Sequence, residues 1–344
     1  IWITTTNGLS VYDGMSFKNS SILKGLNVMT SNDIYFDENG DILVTTNRGI
    51  SKLRDDGVFY KLDPIRAGDD KTLANTFSMT KSKDGMYWVT GWQHGAWKYD
   101  PSSIRNLTVN DSIPAIFKSK MIVDTDQTLW VATGGNGILE IKNEKLIKVY
   151  TMQDGLRSNT IRDLSMDNYG NLWVATNRGI SMFNGKSFKN YTESDGIPGE
   201  NVNGICVDKS GIVWFISSKG LTSYDGNDFV TYDEKNGINI RNWNNDNDLI
   251  ATANGELVIG QYGSGVIIFK DGSGRTLTED DGLTDQRAHD IASDSEGNIW
   301  IATDGGGVFK YDGENMEHFD VEDGLAPSEA YDIYIDDYDK VWVG

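Results

Sequence analysis

The chain has 344 residues, of which 38% are hydrophobic and 24% charged, so it is long enough to bury a core and too apolar to be disordered. Its 51 acidic and 31 basic side chains give a net charge of −20, which argues against nucleic-acid binding or membrane-surface binding by the chain as a whole. No apolar run approaches about 18 residues, and the first residues do not have the pattern of a signal peptide.

Glycine is abundant and proline is scarce, with 38 and 5 residues, and the chain carries 10 Trp, 12 Phe and 15 Tyr. Aromatic side chains favour β-strands, and glycine is the residue that tight turns between strands most often require. The composition therefore predicts an all-β fold with many short turns.

A tryptophan-containing strand recurs along the chain, as in residues 172–176, Leu-Trp-Val-Ala-Thr. The equivalent positions are Trp2, Leu43, Trp88, Trp130, Trp173, Trp214, Val258, Trp300 and Trp342. The eight intervals span 340 residues, so the period is about 42 residues. A fixed period of this length is typical of β-propeller blades.

One repeat unit, residues 160–195, contains four short strand-like segments separated by turns. The pair Asn184-Gly185 between the third and fourth segments predicts a tight antiparallel hairpin, and Asp225-Gly226 and Asp312-Gly313 predict the same in other units. We name the four strands of a unit a, b, c and d from the axis to the rim. The sequence thus predicts an all-β fold, a single β-propeller of four-stranded antiparallel blades.

The count of a strands predicts eight blades over residues 1–344. The chain starts with a b strand and ends with an a strand at residues 330–336, so pairing of residues 1–24 with residues 330–336 would close the ring and remove its exposed edges. A redundant tryptophan strand at residues 341–344 leaves open an alternative of seven blades plus part of a neighbouring one.

Three segments, taken in chain order, depart from the repeat. Residues 63–70 lengthen the second unit, residues 88–97 concentrate three tryptophans and a histidine, and residues 242–248 replace the usual entry into an a strand. Departures from a structural repeat are where a function is expected to be added to the fold.

The b–c and d–a connections of a propeller emerge on one face, and this face is predicted to bind a ligand around the axial opening. The candidate ligand-binding residues there are Arg48, Trp92, His94, Arg178, Lys219, Arg241, Trp243, Tyr262 and Arg287. Tryptophan faces stack on sugar rings and arginine binds carboxylates, so the expected partner is a small molecule, an oligosaccharide or an anionic ligand. The alternative is that Arg48 and Arg178, which share a repeated Thr-Asn-Arg-Gly-Ile motif, only brace neighbouring blades.

No metal ion or cofactor is predicted. The turns that follow Asp167 and Asp294, and the acidic residues 336–339, lack the alternating acids and bidentate glutamate of a Ca²⁺ loop, so we interpret their aspartates as acceptors for backbone amides. The three histidines fall in separate units, without zinc-ligand spacing. Cys206 lies in an apolar strand and is interpreted as a core residue.

An enzymatic function is not expected either. No phosphate-binding loop of the Gly-Xaa4-Gly-Lys type is present, so ATP hydrolysis and kinase activity are not predicted for this chain. A propeller lyase stays open as an alternative, with His94 and His289 as the candidate bases on the predicted ligand face.

The segment Gly-Asn-Leu-Trp-Val-Ala-Thr-Asn-Arg-Gly-Ile at residues 170–180, repeated in variants along the whole chain, resembles the two-component regulator propeller repeat. The resemblance implies an extracytoplasmic sensor domain of a hybrid two-component receptor, periplasmic or extracellular, that detects carbohydrate fragments. It also implies an alternative, a secreted or surface-attached scaffold that binds a protein on the same face. Propellers of the streptogramin-lyase type are distantly similar. The repeat itself is specific for the fold, because its fixed residues are core tryptophans and turn glycines.

Overall fold

The computed structural model describes the backbone of residues 2–5, 8–12, 17–20, 31–36, 42–46, 49–53, 59–62, 76–81, 87–91, 95–100, 103–107, 120–143, 145–241, 248–320, 323, 330, 333–335 and 341–343. It describes the side chains of residues 43, 50–53, 120–143, 145–241, 248–320, 323, 330, 333, 335 and 341.

The strands of the first third of the chain are short and regularly spaced. They are β1 Trp2–Thr5, β2 Gly8–Tyr12, β3 Phe17–Ser20, β4 Ser31–Phe36, β5 Ile42–Thr46, β6 Gly49–Leu53, β7 Phe59–Leu62, β8 Thr76–Lys81, β9 Tyr87–Gly91, β10 Gly95–Asp100 and β11 Ser103–Leu107.

The middle of the chain repeats the same spacing. Its strands are β12 Met121–Val123, β13 Leu129–Ala132, β14 Ile138–Lys142, β15 Lys145–Tyr150, β16 Ile161–Met166, β17 Leu172–Thr176, β18 Gly179–Phe183, β19 Phe188–Tyr191, β20 Val202–Val207, β21 Val213–Ser217, β22 Gly220–Tyr224 and β23 Phe229–Tyr232.

The last part of the chain adds two further repeats and the C-terminal strands. These are β24 Asp248–Ala251, β25 Leu257–Gln261, β26 Gly265–Lys270, β27 Ser273–Leu277, β28 Ala288–Ser293, β29 Ile299–Thr303, β30 Gly307–Tyr311, β31 Met316–Phe319, β32 Ile333–Ile335 and β33 Val341–Val343. The helical segments of the described chain are single 3-10 turns at Met152–Asp154, Glu193–Asp195, Glu234–Asn236 and Glu279–Asp281.

The described strands form eight hydrogen-bonded sheets. Seven of these sheets have four strands in chain order, and within them neighbouring strands are antiparallel, as in β16-β17-β18-β19. The predicted all-β propeller of four-stranded antiparallel blades is therefore confirmed. The number of blades in the ring stays a prediction.

The innermost strands contact each other in chain order, from β4 through β8, β12, β16, β20, β24 and β28 to β32. β33 and β1 contact β4, so the last sheet also touches the sheet that starts with β4. These contacts arrange the sheets around an axis, with the a strands inside.

The sheet that joins the chain ends differs from the expected pairing of residues 330–336 with the first strand. It has five strands in the order β3-β2-β1-β33-β32, so β33 lies between β32 and β1. β33 pairs antiparallel with β32 and parallel with β1, where Ile3 is opposite Val343. β33 thus takes the b position beside β32, and β1 pairs on the far side of β33.

The b strands of four described blades are buried throughout. β17, β21, β25 and β29 are buried at every position, whereas d strands such as β19 are largely exposed between their ends. The b-strand tryptophan packs against the next blade, as Trp173 does against Tyr224 at 5.8 Å between ring centroids. The periodic tryptophan therefore forms the interface between blades, as a core residue would.

Candidate functional site

Four d–a connections of the described chain begin with the same local structure, a single 3-10 turn followed by a glycine with positive φ. In the connection after β15, the Asp154 carboxylate accepts a hydrogen bond from the Thr151 backbone N–H at 3.0 Å, and Gly155 follows with φ of 100°. Leu156 then inserts into the core, where it is 2% exposed. The remaining residues of the connection are thereby directed from the rim towards the axis.

The b–c hairpin of one blade is hydrogen-bonded to the d–a connection that leads into the next blade. Gly137 N–H donates to the carbonyl of Asn159 at 2.9 Å, and Gly263 N–H and Gly265 N–H donate to the carbonyl of Gln286 at 2.9 and 3.0 Å. The b–c loops and d–a connections of neighbouring blades thus form one continuous surface, which we call the b–c face.

Arg287 is held by two carboxylates on this face. Its guanidinium donates from Nε and Nη2 to both oxygens of Asp285, at 2.9 and 2.8 Å, and from Nη1 to Asp304 at 3.1 Å. These hydrogen bonds to Asp285 raise the pKa of Arg287, with the nearby charge of Asp304 adding to the effect. The positive charge of Arg287 is therefore paired with two carboxylates of the protein, and its predicted contact with a ligand stays a prediction.

Tyr262 and His289 complete the cluster around Asp304. The Tyr262 hydroxyl donates to Asp304 Oδ2 at 2.5 Å, which raises the pKa of the phenol. His289 Nε2 lies 3.7 Å from Asp304 Oδ1, and the ring centroids of His289 and Tyr262 are 5.0 Å apart. Burial lowers the pKa of His289, so the imidazole is neutral at pH 7.

A cleft of about 790 Å³ opens beside this cluster, between the β24–β27 and β28–β31 blades. Its lining includes Asp285 and Arg287 of the cluster, and also Glu279, Gln286, His318 and Asp320. The His318 ring stacks on Phe309 at 4.3 Å, and its Nε2 lies 2.5 Å from the carbonyl oxygen of Gly306. The cleft is therefore polar, with fixed hydrogen-bonding groups and more acidic than basic side chains.

The structure places the other described candidates on the same face but outside this cleft. Arg178 and Lys219 are exposed in the b–c loops after β17 and β21. Arg241 lies in the connection before β24, where its backbone N–H donates to Gln261 Oε1 at 2.7 Å and its guanidinium donates to the side-chain oxygen of Asn239 at 3.0 and 3.2 Å. Of the candidates that the structure describes, only Tyr262 and Arg287 share one cluster.

Four candidates, Arg48, Trp92, His94 and Trp243, lie outside the described residues. Their convergence with Tyr262 and Arg287 around one opening stays a prediction.

Sequence reasoning did not select the acidic members of the site, Asp285 and Asp304, or His318. One signal was available, because the equivalent of Asp285 is Ser158 in one connection and Gly199 in another. Asp285 departs from the repeat and lies two residues before Arg287, so the sequence indicates an ion pair between them. Other connections form without such a pair, so the fold does not require it.

In the turns on the opposite face, the aspartate side chains accept hydrogen bonds from backbone amides, as expected. Asp167 Oδ1 accepts the backbone N–H groups of Tyr169 and Asn171 at 2.9 and 2.8 Å, and Oδ2 accepts the indole N–H of Trp173 at 2.9 Å. Asp294 accepts the indole N–H of Trp300 in the same way, at 3.0 Å. The interpretation of Asp167 and Asp294 as acceptors for backbone amides is therefore confirmed.

Among the residues whose positions are described, no group of three or more metal-ligating side chains has the geometry of a metal site. Cys206 is half-buried and packs against the core, and desolvation raises the pKa of its thiol, which makes the reactive thiolate less accessible. None of the described helical segments has the length and apolarity to cross a membrane.

Residues 155–178 and 282–305 match the sequence model of the family described as two component regulator propeller. No curated protein sequence matches the chain.

Solved structures resemble this chain at low sequence identity. The extracellular domain of the putative hybrid two component system BT3049 from B. thetaiotaomicron is 16% identical with a TM-score of 0.56; the match covers 100% of this chain and 53% of that one. This chain thus spans about half the length of that domain. A catalytically inactive virginiamycin B lyase from Staphylococcus aureus, solved with quinupristin, is 16% identical with a TM-score of 0.59, over 79% of this chain and 91% of that one.

The designed protein Ika8 is 11% identical with a TM-score of 0.57, over 89% of this chain and 91% of that one. At these identities the likeness concerns the fold. The two segments that match the family model each run from a d–a connection to the following b–c loop, so the repeat motif coincides with the elements that build the b–c face. The chain is a β-propeller, and two of its segments match the two component regulator propeller repeat.

Proposed function

We propose that this propeller is the ligand-recognition domain of a two-component sensor, located outside the cytoplasm, and that it binds its ligand on the b–c face. The family repeat supports this role, as does the similar fold of the extracellular domain of BT3049. The observation that carries the proposal is the polar cleft beside the Tyr262–Arg287–Asp304 cluster, since concave sites with converging polar groups are where small ligands bind.

The chemistry of the cleft favours a neutral, hydroxyl-rich ligand such as an oligosaccharide. Arg287 is already neutralised by Asp285 and Asp304, while Glu279 and Asp320 add negative charge to the lining. An anion would meet repulsion there, whereas sugar hydroxyls can donate to carboxylates and accept from the Gln286 amide.

Isothermal titration calorimetry with neutral oligosaccharides of three to five sugars tests this function. We expect at least one of them to bind, and Gln286→Ala to weaken its binding by about three- to tenfold through the loss of one neutral hydrogen bond. Gln153→Ala is the matched control, because Gln153 lies in the connection before β16, on the same face but away from the cleft. Absence of binding, or equal binding by both variants, would contradict the proposal.

A lyase is a second candidate, favoured by one observation. His289, which burial keeps neutral, lies 3.7 Å from Asp304 and next to Tyr262, and a neutral imidazole beside a carboxylate is suited to act as a general base. Incubation with quinupristin, followed by mass spectrometry of the product, tests this activity. Turnover that His289→Ala abolishes would support a lyase, and an unchanged antibiotic after prolonged incubation would favour the sensor.

A protein-binding scaffold that uses the same face is the remaining alternative. In that case the Gln286→Ala variant would lose a protein partner in pull-down experiments while no oligosaccharide binds.

A further inference from the structure

We propose that the b–c face carries a second, anion-binding subsite over the β16–β19 and β20–β23 blades, formed by Arg157, Arg162, Arg178 and Lys219. The subsite would take a carboxylate, sulfate or phosphate group of the ligand. This inference rests on the proposed ligand-binding function and adds to it a charge preference that the cleft itself does not have.

The first step is that three of these four cations have no carboxylate partner among the described residues, unlike other cations of the protein. Arg287, Arg275 and Lys148 each lie within ion-pair distance of an aspartate. Arg162, Arg178 and Lys219 are exposed, and none of them has a carboxylate at ion-pair distance in the described part of the chain. In a protein with a net charge of −20, uncompensated cations close together produce a local positive potential that the rest of the surface does not have.

The second step is that the residues form one surface. The guanidinium of Arg157 donates from Nε to the carbonyl oxygen of Arg178 at 3.0 Å, and its Nη2 lies 3.5 Å from Glu200. Gly199, the residue before Glu200, lies close to Lys219. A Cβ added at Gly199 would lie 3.3 Å from Lys219 Cγ. Arg178, Arg157, the Gly199–Glu200 segment and Lys219 are therefore neighbours on this surface.

Arg162 adds a charge on the axial side. It lies in the bulge of β16, between Ile161 and Asp163, which pair with Thr176 and Ala175 at the end of β17 that leads into the Arg178 loop. The bulge adds an unpaired residue at this end of the strand, beside the loop that carries Arg178.

The third step is the balance of charge. Glu200 is the carboxylate in contact with the subsite, and its distance of 3.5 Å from Arg157 on an exposed surface makes the pair weak. Glu193 and Asp195 lie in the 3-10 turn at the rim end of the same connection, before the buried Ile197, and Asp195 accepts hydrogen bonds from Thr192. On the axial side, Arg157, Arg162, Arg178 and Lys219 outnumber the carboxylates Asp163 and Glu200, so positive charge is in excess there.

The test uses a probe pair that differs only in charge, tetragalacturonate and its fully methyl-esterified form, with binding measured by calorimetry at 50 and 300 mM NaCl. We expect the charged form to bind more tightly, and the difference to shrink at high salt because the charges are exposed. Arg178→Gln and Lys219→Gln should each weaken the charged form by about tenfold at low salt, roughly the loss of one charge-assisted hydrogen bond at an exposed site.

Matched controls are Lys186→Gln and Lys209→Gln. They remove the same charge from the same two blades, but in turns on the opposite face, where Lys186 and Lys209 are also exposed. All four positions are exposed, so the melting midpoint should change little in any variant, and circular dichroism checks this.

Equal binding of the two probes, or equal effects of the subsite and control variants, would overturn the subsite. Loss of neutral-sugar binding in Gln286→Ala reports on the cleft alone, so a failure of the proposed function is distinguishable from a failure of this inference. If the charged probe binds through Arg178 and Lys219 while no neutral sugar enters the cleft, the subsite stands and the cleft proposal does not.

Discussion

Asp163 in β16 accepts a hydrogen bond from the backbone N–H of Ile205 in β20, at 2.9 Å, so the carboxylate of one blade is bonded to the innermost strand of the next. Asp290 makes the same contact with Ile333, at 2.8 Å. Both aspartates lie at a bulge of their own a strand. The repeated aspartate therefore joins blades near the axis, where the tryptophan interface does not reach.

The first prediction concerns the pH dependence of stability. Burial raises the pKa of Asp163 to about 6, with Asp248 adding to the shift and Lys120 opposing it. Because the folded-state pKa lies above the ordinary value, the folded protein binds more protons than the unfolded chain between about pH 4 and pH 6, and stability falls as pH rises through this window. The shift corresponds to about 3 kcal/mol lost above pH 6.

Urea denaturation at pH 4.5 and 7.5 of the wild type and of Asp163→Asn measures this effect, since asparagine does not titrate. We expect the wild type to gain stability relative to Asp163→Asn on acidification. Asp225→Asn is a control of opposite sign, because backbone hydrogen bonds lower the pKa of Asp225, so its contribution is lost as pH falls. An Asp163 difference that did not vary with pH would contradict the assignment.

The second prediction separates the aspartate turns from Ca²⁺ loops. Asp167→Ala removes acceptors for two backbone amides and one indole, and it should lower the free energy of unfolding by about 2–3 kcal/mol. EDTA should leave the melting midpoint of the wild type unchanged, because these oxygens are occupied by N–H donors. A large decrease of the midpoint in EDTA would reassign the turns as cation sites.

The third prediction compares two glycines of one blade. Gly179 and Gly185 both have positive φ, 113° and 85°, so alanine is strained at either position. A Cβ at Gly179 would lie 2.5 Å from the carbonyl oxygen of Tyr191, whereas no atom lies within 4 Å of a Cβ at Gly185. Gly185→Ala should cost about 1–2 kcal/mol by the backbone conformation alone, and Gly179→Ala clearly more, in thermal or urea denaturation. Equal costs would mean that the b–c hairpin is not packed as described.

The fourth prediction concerns closure of the ring. Ile3 and Val343 are opposite each other in the parallel pair of β1 and β33, a position from which two cysteines can reach each other. Ile3→Cys/Val343→Cys should form a disulfide on oxidation and raise the melting midpoint, while Val343→Cys alone should not.

Deletion of residues 1–24 provides a complementary measurement. It would remove β1 to β3 and leave β33 with an unpaired edge, so the whole protein should melt at a lower temperature in a single transition. A midpoint that did not change after the deletion would argue against closure through these strands.

The sequence determined the repeat and the fold, because both depend on local and periodic information. The tryptophan strand, the Asn-Gly and Asp-Gly pairs and the spacing of about 42 residues predict four-stranded antiparallel blades without knowledge of any contact. The assignment of b–c loops and d–a connections to one face follows from the same topology, and so does the acceptor role of Asp167.

The tertiary structure decided which of the charged residues on that face are available to a ligand. Arg287 and Arg178 look equivalent in the sequence, as arginines in connections of the same face. Folding places Asp285 and Asp304 around Arg287, whereas Arg178 has only an exposed loop and the neighbouring Arg157 beside it. Asp285 lies two residues before Arg287 and breaks the repeat, so the sequence carried a signal for this pair. Asp304 lies 17 residues after Arg287 in another loop, and only folding brings it to the guanidinium. The tertiary structure also decided the position of β33 between β32 and β1. Both β33 and β1 have the sequence pattern of a b strand, so the local pattern does not say which of them pairs with β32.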